Sequence, residues 1–225
     1  PTGQILGRMP DGALYFEQCY WPFAEKDNPD RAADALKDTI WCGIPSPPGP
    51  IVEGPGGLER LQKGAQCLRQ KTDRAILYLF GGNLLECGQF LYRNDNFYML
   101  LAGDRPRAER VLDRLTEAHL ANLERVLPVL DGLIDIIVFG DDLGMQTGPQ
   151  ISPKMYRELF KPRHAALWKR AKELADVKVM LHCCGGVREL LDDLIDAGLD
   201  AINPVQISCK GMDPEGLKRD FGRRI

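Results

Sequence analysis

The chain has 225 residues, enough for one domain with a sizeable core and too few for two large ones. Apolar residues at 44% and charged residues at 27% give an ordinary globular composition, and 29 Lys plus Arg against 32 Asp plus Glu leave no basic stripe for nucleic acid. No apolar run approaches the ~18 residues of a membrane span, and seven irregularly spaced cysteines read as reduced thiols of a cytoplasmic protein, not as a disulfide framework.

The chain begins at Pro1, and an upstream portion is expected to be missing. Residues 1–57 read as an irregular N-terminal region. Met9-Pro10-Asp11-Gly12 is a turn signal, and the aromatic run Tyr15, Phe16, Tyr20, Trp21, Phe23 suits either a small packed hairpin or a lid. Five prolines and five glycines within 43–57 mark a loop. Leu58, Leu61, Ala65 and Leu68 then recur at helical spacing.

Beyond this point strands and helices alternate. The apolar run Ala75–Phe80, closed by Gly81-Gly82, reads as a buried strand. Helices follow over 84–101 and 105–130, the second capped by Asp104 with Pro106 in its first turn. A second strand, 134–139, ends in Gly140-Asp141-Asp142, and Ser152-Pro153 opens the next helix. A third strand, 177–182, runs into Cys183-Cys184-Gly185-Gly186. Its helix carries Val187, Leu190, Leu191, Leu194 and Ile195 on one face and stops at Gly198. A short strand at 200–204, a helix at 212–221 and a further strand beginning at Arg223-Arg224-Ile225 complete the pattern.

This alternation, with polar residues at strand C-termini, predicts an α/β fold with a parallel sheet and right-handed crossovers. Neither GxGxxG after the first strand nor a Walker-type loop is present, which disfavours a nucleotide-binding open sheet. Four strands are too few to close an eight-strand barrel. The expectation is a single, incomplete (β/α)8 TIM barrel domain, lacking strands at both ends.

His182-Cys183-Cys184 is the most informative tripeptide. Side chains alternate along a strand, so His182 and Cys184 share a face and Cys183 points away. Imidazole and thiolate are good zinc ligands, and a catalytic zinc keeps three protein ligands and one open position. The competing reading makes both cysteines small buried hydrophobes and His182 a core residue. Asp141 and Asp142, being consecutive, diverge: one suits substrate or a general base, the other a cap for loop amides. Asn203 and Gln206, beyond the fourth strand, suit substrate oxygens. His119 and His164 read as packed or surface residues, and Glu86 as a carboxylate at a helix dipole.

Several stretches carry a resemblance. The segment from Phe139 to Tyr156, continued by Phe160-Lys161-Pro162, resembles the Asp-rich loop and following helix of the uroporphyrinogen decarboxylase family. So does Gly198 to Gln206, followed by Gly211-Met212-Asp213-Pro214, Leu217-Lys218 and Phe221-Gly222. Gly82-Asn83 through Phe90-Leu91 is similar to the family's first helix start. The resemblance spans about residues 74–225 and implies a TIM barrel longer than this chain.

The family implies two chemistries, cofactor-free decarboxylation of uroporphyrinogen and methyl transfer to a thiol or a corrinoid protein. In the zinc-dependent methyltransferases a His-x-Cys motif falls on His182 and Cys184, with a later Cys beyond Ile225; Cys209 is a geometric substitute. The resemblance therefore implies Zn2+ at His182 and Cys184; the positions past the strand ends make Asp142 the candidate catalytic residue and place Asp141, Asn203 and Gln206 at the substrate. It also implies a small-molecule substrate and a corrinoid (cobalamin) partner protein. Porphyrinogen decarboxylases usually carry Ser at the position of Asp142 and Tyr near Phe90; this chain has neither. Decarboxylation of a tetrapyrrole, and a barrel that binds without turnover, remain the alternatives.

Overall fold

The computed structural model describes residues 3–40 and 54–225. The expected proline- and glycine-rich loop falls largely on 41–53, outside the described residues. The N-terminal segment forms a small hairpin. Strand β1 (Gly7–Arg8) pairs antiparallel with β2 (Glu17–Gln18), and Ala13 N–H donates to Pro10 O (3.0 Å) where the Met9–Gly12 turn is expected. The hairpin is anchored behind its tip. Gln18 Nε2 donates to Phe90 O (2.8 Å), Phe23 N–H to Leu91 O (2.8 Å), and the buried Phe23 ring meets Tyr92 edge-on at 5.3 Å. Tyr15 and Phe16 stay exposed. A short helix α1 (Ala32–Ala35) follows.

The architecture is α/β. Helix α2 (Gly57–Lys71) leads into strand β3 (Leu77–Gly81). Three helices, α3 (Leu85–Tyr92), α4 (Asn94–Gly103) and α5 (Arg105–Leu130), then return the chain to β4 (Ile136–Gly140). A two-residue ribbon, β5 (Gly144–Met145) with β6 (Gly148–Pro149), precedes α6 (Pro153–Met155) and α7 (Lys161–Leu174). Strand β7 (Lys178–His182), helix α8 (Leu191–Asp196), strand β8 (Ala201–Asn203) and helix α9 (Pro214–Phe221) complete the order. No described helix is long and apolar enough to cross a membrane.

Strands β3, β4, β7 and β8 form one parallel sheet in chain order, without the reversal that a doubly wound sheet requires. The described residues make an open four-stranded sheet, not a closed barrel. One face is covered. Ile137, Phe139, Val179 and Leu181 lie in register beneath the helices and are almost wholly buried, and α5 packs between α2 and α7. The opposite face carries Leu79, Val138, Met180 and Ala201 in one row across the strands. On the outer strand Leu77 and Leu79 are 51% and 66% exposed, so the described helices leave that face open.

Two sequence expectations need correction. The helix expected over 84–101 breaks at Arg93, whose φ of 72° is left-handed; its guanidinium is held by Asp95 (Nε–Oδ1 2.6 Å), and α4 restarts in a new direction. The expected strand at 223–225 is a turn closing α9, with Arg224 N–H and Ile225 N–H donating to Phe221 O. The helix expected to open at Ser152-Pro153 does so and passes through a π-turn at Tyr156–Phe160, two residues before Pro162, which has no N–H to give to a regular ladder. The Ser152 and Asp104 caps form as expected, onto Met155 N (3.1 Å) and Arg107 N (3.2 Å).

Where α3 and α4 cross, Gly88 is the contact. A Cβ there would stand 2.1 Å from the ring of Phe97, which is itself fully buried. Gly88→Ala should therefore cost about 1–3 kcal/mol through overpacking, despite alanine's better helix propensity. Urea unfolding measures it, and a neutral or stabilised variant would show that the ring has room to move.

Candidate metal-binding site

The site lies at the C-terminal ends of β4, β7 and β8, where parallel strands leave polar residues free of the ladder. Strand alternation works as the sequence suggests. His182 is exposed, Cys183 is fully buried, and Cys184 is partly buried. Cys184 Sγ is 3.7 Å from His182 Nε2. Asp142 completes a group with these two: one donor atom from each of Asp142, His182 and Cys184 lies within 4.8 Å of the others. A tetrahedral zinc with Zn–N of about 2.0 Å and Zn–S of about 2.3 Å separates those donors by about 3.6 Å, so the His–Cys spacing fits the ion.

The imidazole is held in place. His182 Nδ1 lies 2.9 Å from Asn203 Oδ1, which fixes Nδ1 as the N–H and leaves the Nε2 lone pair toward Cys184. The two residues are register partners in β7 and β8, so the sheet itself sets that contact. Asn203, expected at the substrate, here orients His182. Gln206, expected there too, accepts from Gly185 N–H through Oε1 (2.8 Å) and so pins the loop after Cys184.

The two aspartates diverge, as consecutive residues past a strand should. Asp141 is fully buried. Its Oδ2 accepts from Leu85 N–H (3.0 Å) and its Oδ1 from Glu86 N–H (3.1 Å), capping α3, which has only Leu84 at its own N-cap. His164 Nε2 lies 3.4 Å from Asp141 Oδ2, and that ring stacks on Trp168 at 5.0 Å. The structure thus gives Asp141 the capping role and keeps it from solvent. Asp142 is the accessible member. Its Oδ1 accepts from Cys184 N–H (2.7 Å), its own N–H donates to Glu86 Oε2 (3.0 Å), and its carbonyl accepts from Gln150 Nε2 (2.7 Å).

Cys183 and Cys209 stand apart from the donors. Cys183 Sγ accepts from Leu143 N–H (3.3 Å) as a buried structural thiol. Cys209, a candidate third ligand from the sequence, is buried with its thiol on Gln146 Oε1 (3.2 Å) and is not among the grouped donors. Asp142 is the third member of that group. Sequence reasoning missed Gln150 and undervalued Glu86, whose only outward signal was its position in the first turn after a strand.

Charge is concentrated here. Burial first, then the Asp141 and Asp142 carboxylates, push Glu86 up to about 7, although Asn83 Nδ2 donates to its Oε2 at 2.5 Å. Burial first, then Asp142, push the Cys184 thiol up to about 11. A cation among these groups would reverse that balance and favour the thiolate. His119, beneath the site, is pulled down to about 4 by burial; it reaches Asn83 O through Nε2 (3.0 Å), and its Nδ1 has no hydrogen-bond partner among the described residues.

The uroporphyrinogen decarboxylase (URO-D) family model matches residues 87–207, more than half of the chain and nearly all of this site. The chain belongs to the uroporphyrinogen decarboxylase family. A solved structure, the methyltransferase from Methanosarcina mazei, aligns with a TM-score of 0.51 at 20% identity, over 71% of this chain and 47% of that one. At that identity the likeness is one of fold, and the chain spans about half the length of that methyltransferase. No curated protein matches.

Glu86 makes a testable contribution to stability. Its carboxyl, normally near 4.5, is raised to about 7 in the folded chain. Between those values the folded state holds the proton and the unfolded state has lost it, so stability falls as pH rises through the window. Glu86→Gln removes that loss. Relative to wild type, the variant should gain roughly 1–3 kcal/mol between pH 5 and pH 8, read from urea midpoints of metal-free protein. A difference that does not change with pH would refute the shift.

Proposed function

We propose that this protein is a zinc-dependent methyltransferase built on an arc of the (β/α)8 barrel, moving a methyl group between a small donor or corrinoid protein and a thiol or cobalamin. The single observation that carries the reading is the convergence of His182, Cys184 and Asp142 at the strand ends. The family supplies the frame, and the strand order, which follows the chain as in a barrel, agrees with it. The methyltransferase neighbour shares that fold. A cytoplasmic setting suits the thiols, since every described cysteine is free.

In this reading His182 Nε2, Cys184 Sγ and an Asp142 oxygen would hold the zinc. Zinc bound there would lower the pKa of a substrate thiol or polarise a methyl donor. The chain's own residues do the rest. Asn203 keeps the His182 lone pair directed at the site, and Gln206 holds the Gly185-Gly186 loop that follows Cys184. Asp142, partly exposed, could meet substrate as well as metal. The Asp142 carboxylate at the site weighs against a porphyrinogen substrate bearing several carboxylates, because like charges would meet there.

Elemental analysis of protein purified without chelators is the test. About one zinc per chain is expected, lost in His182→Ala and in Cys184→Ala and weakened at least tenfold in Asp142→Ala, with all variants folded by circular dichroism. Methyl transfer from methylcobalamin to a small thiol should vanish in the first two. Folded, metal-free wild-type protein that takes up no added zinc would sink the proposal.

A further inference from the structure

Glu86 and the Asp141-Asp142 segment are joined by a reciprocal clasp. The side chain of Asp141 receives the N–H of Glu86 (3.1 Å), and the side chain of Glu86 receives the N–H of Asp142 (3.0 Å). Two orphan donors, one at the start of α3 and one just past β4, are thus satisfied by each other's segments. The arrangement resembles a capping box made between pieces of chain 55 or 56 residues apart. Asn83 Nδ2 fixes the acceptor oxygen from the other side at 2.5 Å. Gln150 Nε2 holds the Asp142 carbonyl (2.7 Å), so the backbone of Asp142 is gripped at both ends.

The grip is passed on to the donors. With its backbone fixed, Asp142 sets Oδ1 at 2.7 Å from Cys184 N–H, bridging the loop after β4 to the loop after β7. We propose that Glu86 is a positioning residue, whose oxygen fixes the Asp142 backbone and thereby aims the Asp142 carboxylate at Cys184 and His182. The metal-facing part of this inference rests on the zinc reading above; the Glu86–Asp142–Cys184 linkage does not. Glu86 acts as a hydrogen-bond acceptor here, not as a charge. A glutamine, whose carbonyl oxygen can take the same two donors, should therefore serve in its place, whereas an alanine cannot. A carboxylate acting only on the helix dipole would be lost in both substitutions.

Amide hydrogen exchange on metal-free protein, read by NMR, separates these cases. In Glu86→Ala the amides of both Asp142 and Cys184 should exchange at least tenfold faster than in wild type, and in Glu86→Gln both should stay protected. Faster exchange at Asp142 alone, with Cys184 unchanged, would overturn the proposal, because the effect would stop at the direct partner. So would equal loss of protection at Cys184 in both variants. Zinc affinity is measured alongside: Glu86→Ala should weaken it by about 10–100-fold, as loss of an outer-shell support does, and Glu86→Gln by less than about threefold. Wild-type protein that binds no zinc but shows the expected exchange pattern would sink the metal reading and leave the positioning role standing. Zinc binding in wild type that is undiminished in Glu86→Ala would do the reverse.

Discussion

A fully buried carboxylate organises this molecule. Asp141 has no solvent to hydrate it, and an unpartnered ionised carboxylate in such a place would be severely destabilising. It is satisfied by the start of α3, whose first free N–H groups and positive dipole end are the natural complement of an anion. The benefit is mutual, because α3 begins at Leu84 and Leu85 and has no side-chain cap of its own. Strand β4 and helix α3 are therefore fixed to each other by one side chain. Asp142, the residue after Asp141, inherits its place from that junction.

The second half of the site is fixed by the sheet. Parallel pairing places Gly140, His182 and Asn203 in one row, so the residue that bears the imidazole and the residue that orients it arrive together. Two loops then close over the row. Gly186 N–H donates to Met145 O (2.8 Å), Cys183 N–H to Asn203 O (2.7 Å), and Gly185 N–H to Gln206. These bonds hold the loops, while one donor atom from each of His182, Cys184 and Asp142 lies within 4.8 Å of the others. A cluster held this way loses little entropy when an ion arrives, since its geometry already exists.

Much of this was legible in the sequence because it is local. Strand alternation placed His182 and Cys184 together and sent Cys183 inward, and the strand-to-loop transitions located the polar ends. Consecutive aspartates had to diverge. What could not be read was which aspartate faced which way, because that depends on a helix start 56 residues earlier. Asn203 and Gln206 were visible as polar residues beyond a strand, but their partners are His182 and the Gly185 amide, 21 residues away in each case. Arg93 broke an apparently continuous helical pattern, since apolar periodicity carries no record of one left-handed residue. Asp142 as the third donor was hidden for the same reason as the rest: strand β4 meets β7 only in the fold.

Two glycines carry a consequence for how such a site can vary. Gly185 adopts φ +91°, and any Cβ on it would lie 2.2 Å from the backbone of Gly144, while one on Gly144 would lie 2.7 Å from Cys184 O. The loops bearing Asp142 and Cys184 therefore touch main chain to main chain, with no side chain between them to absorb a change. Neither glycine can take a side chain without displacing the other loop. Descendants of this protein should inherit the two glycines as a linked pair, and an altered ligand set would arise by exchanging side chains on an unchanged backbone, not by remodelling either loop alone.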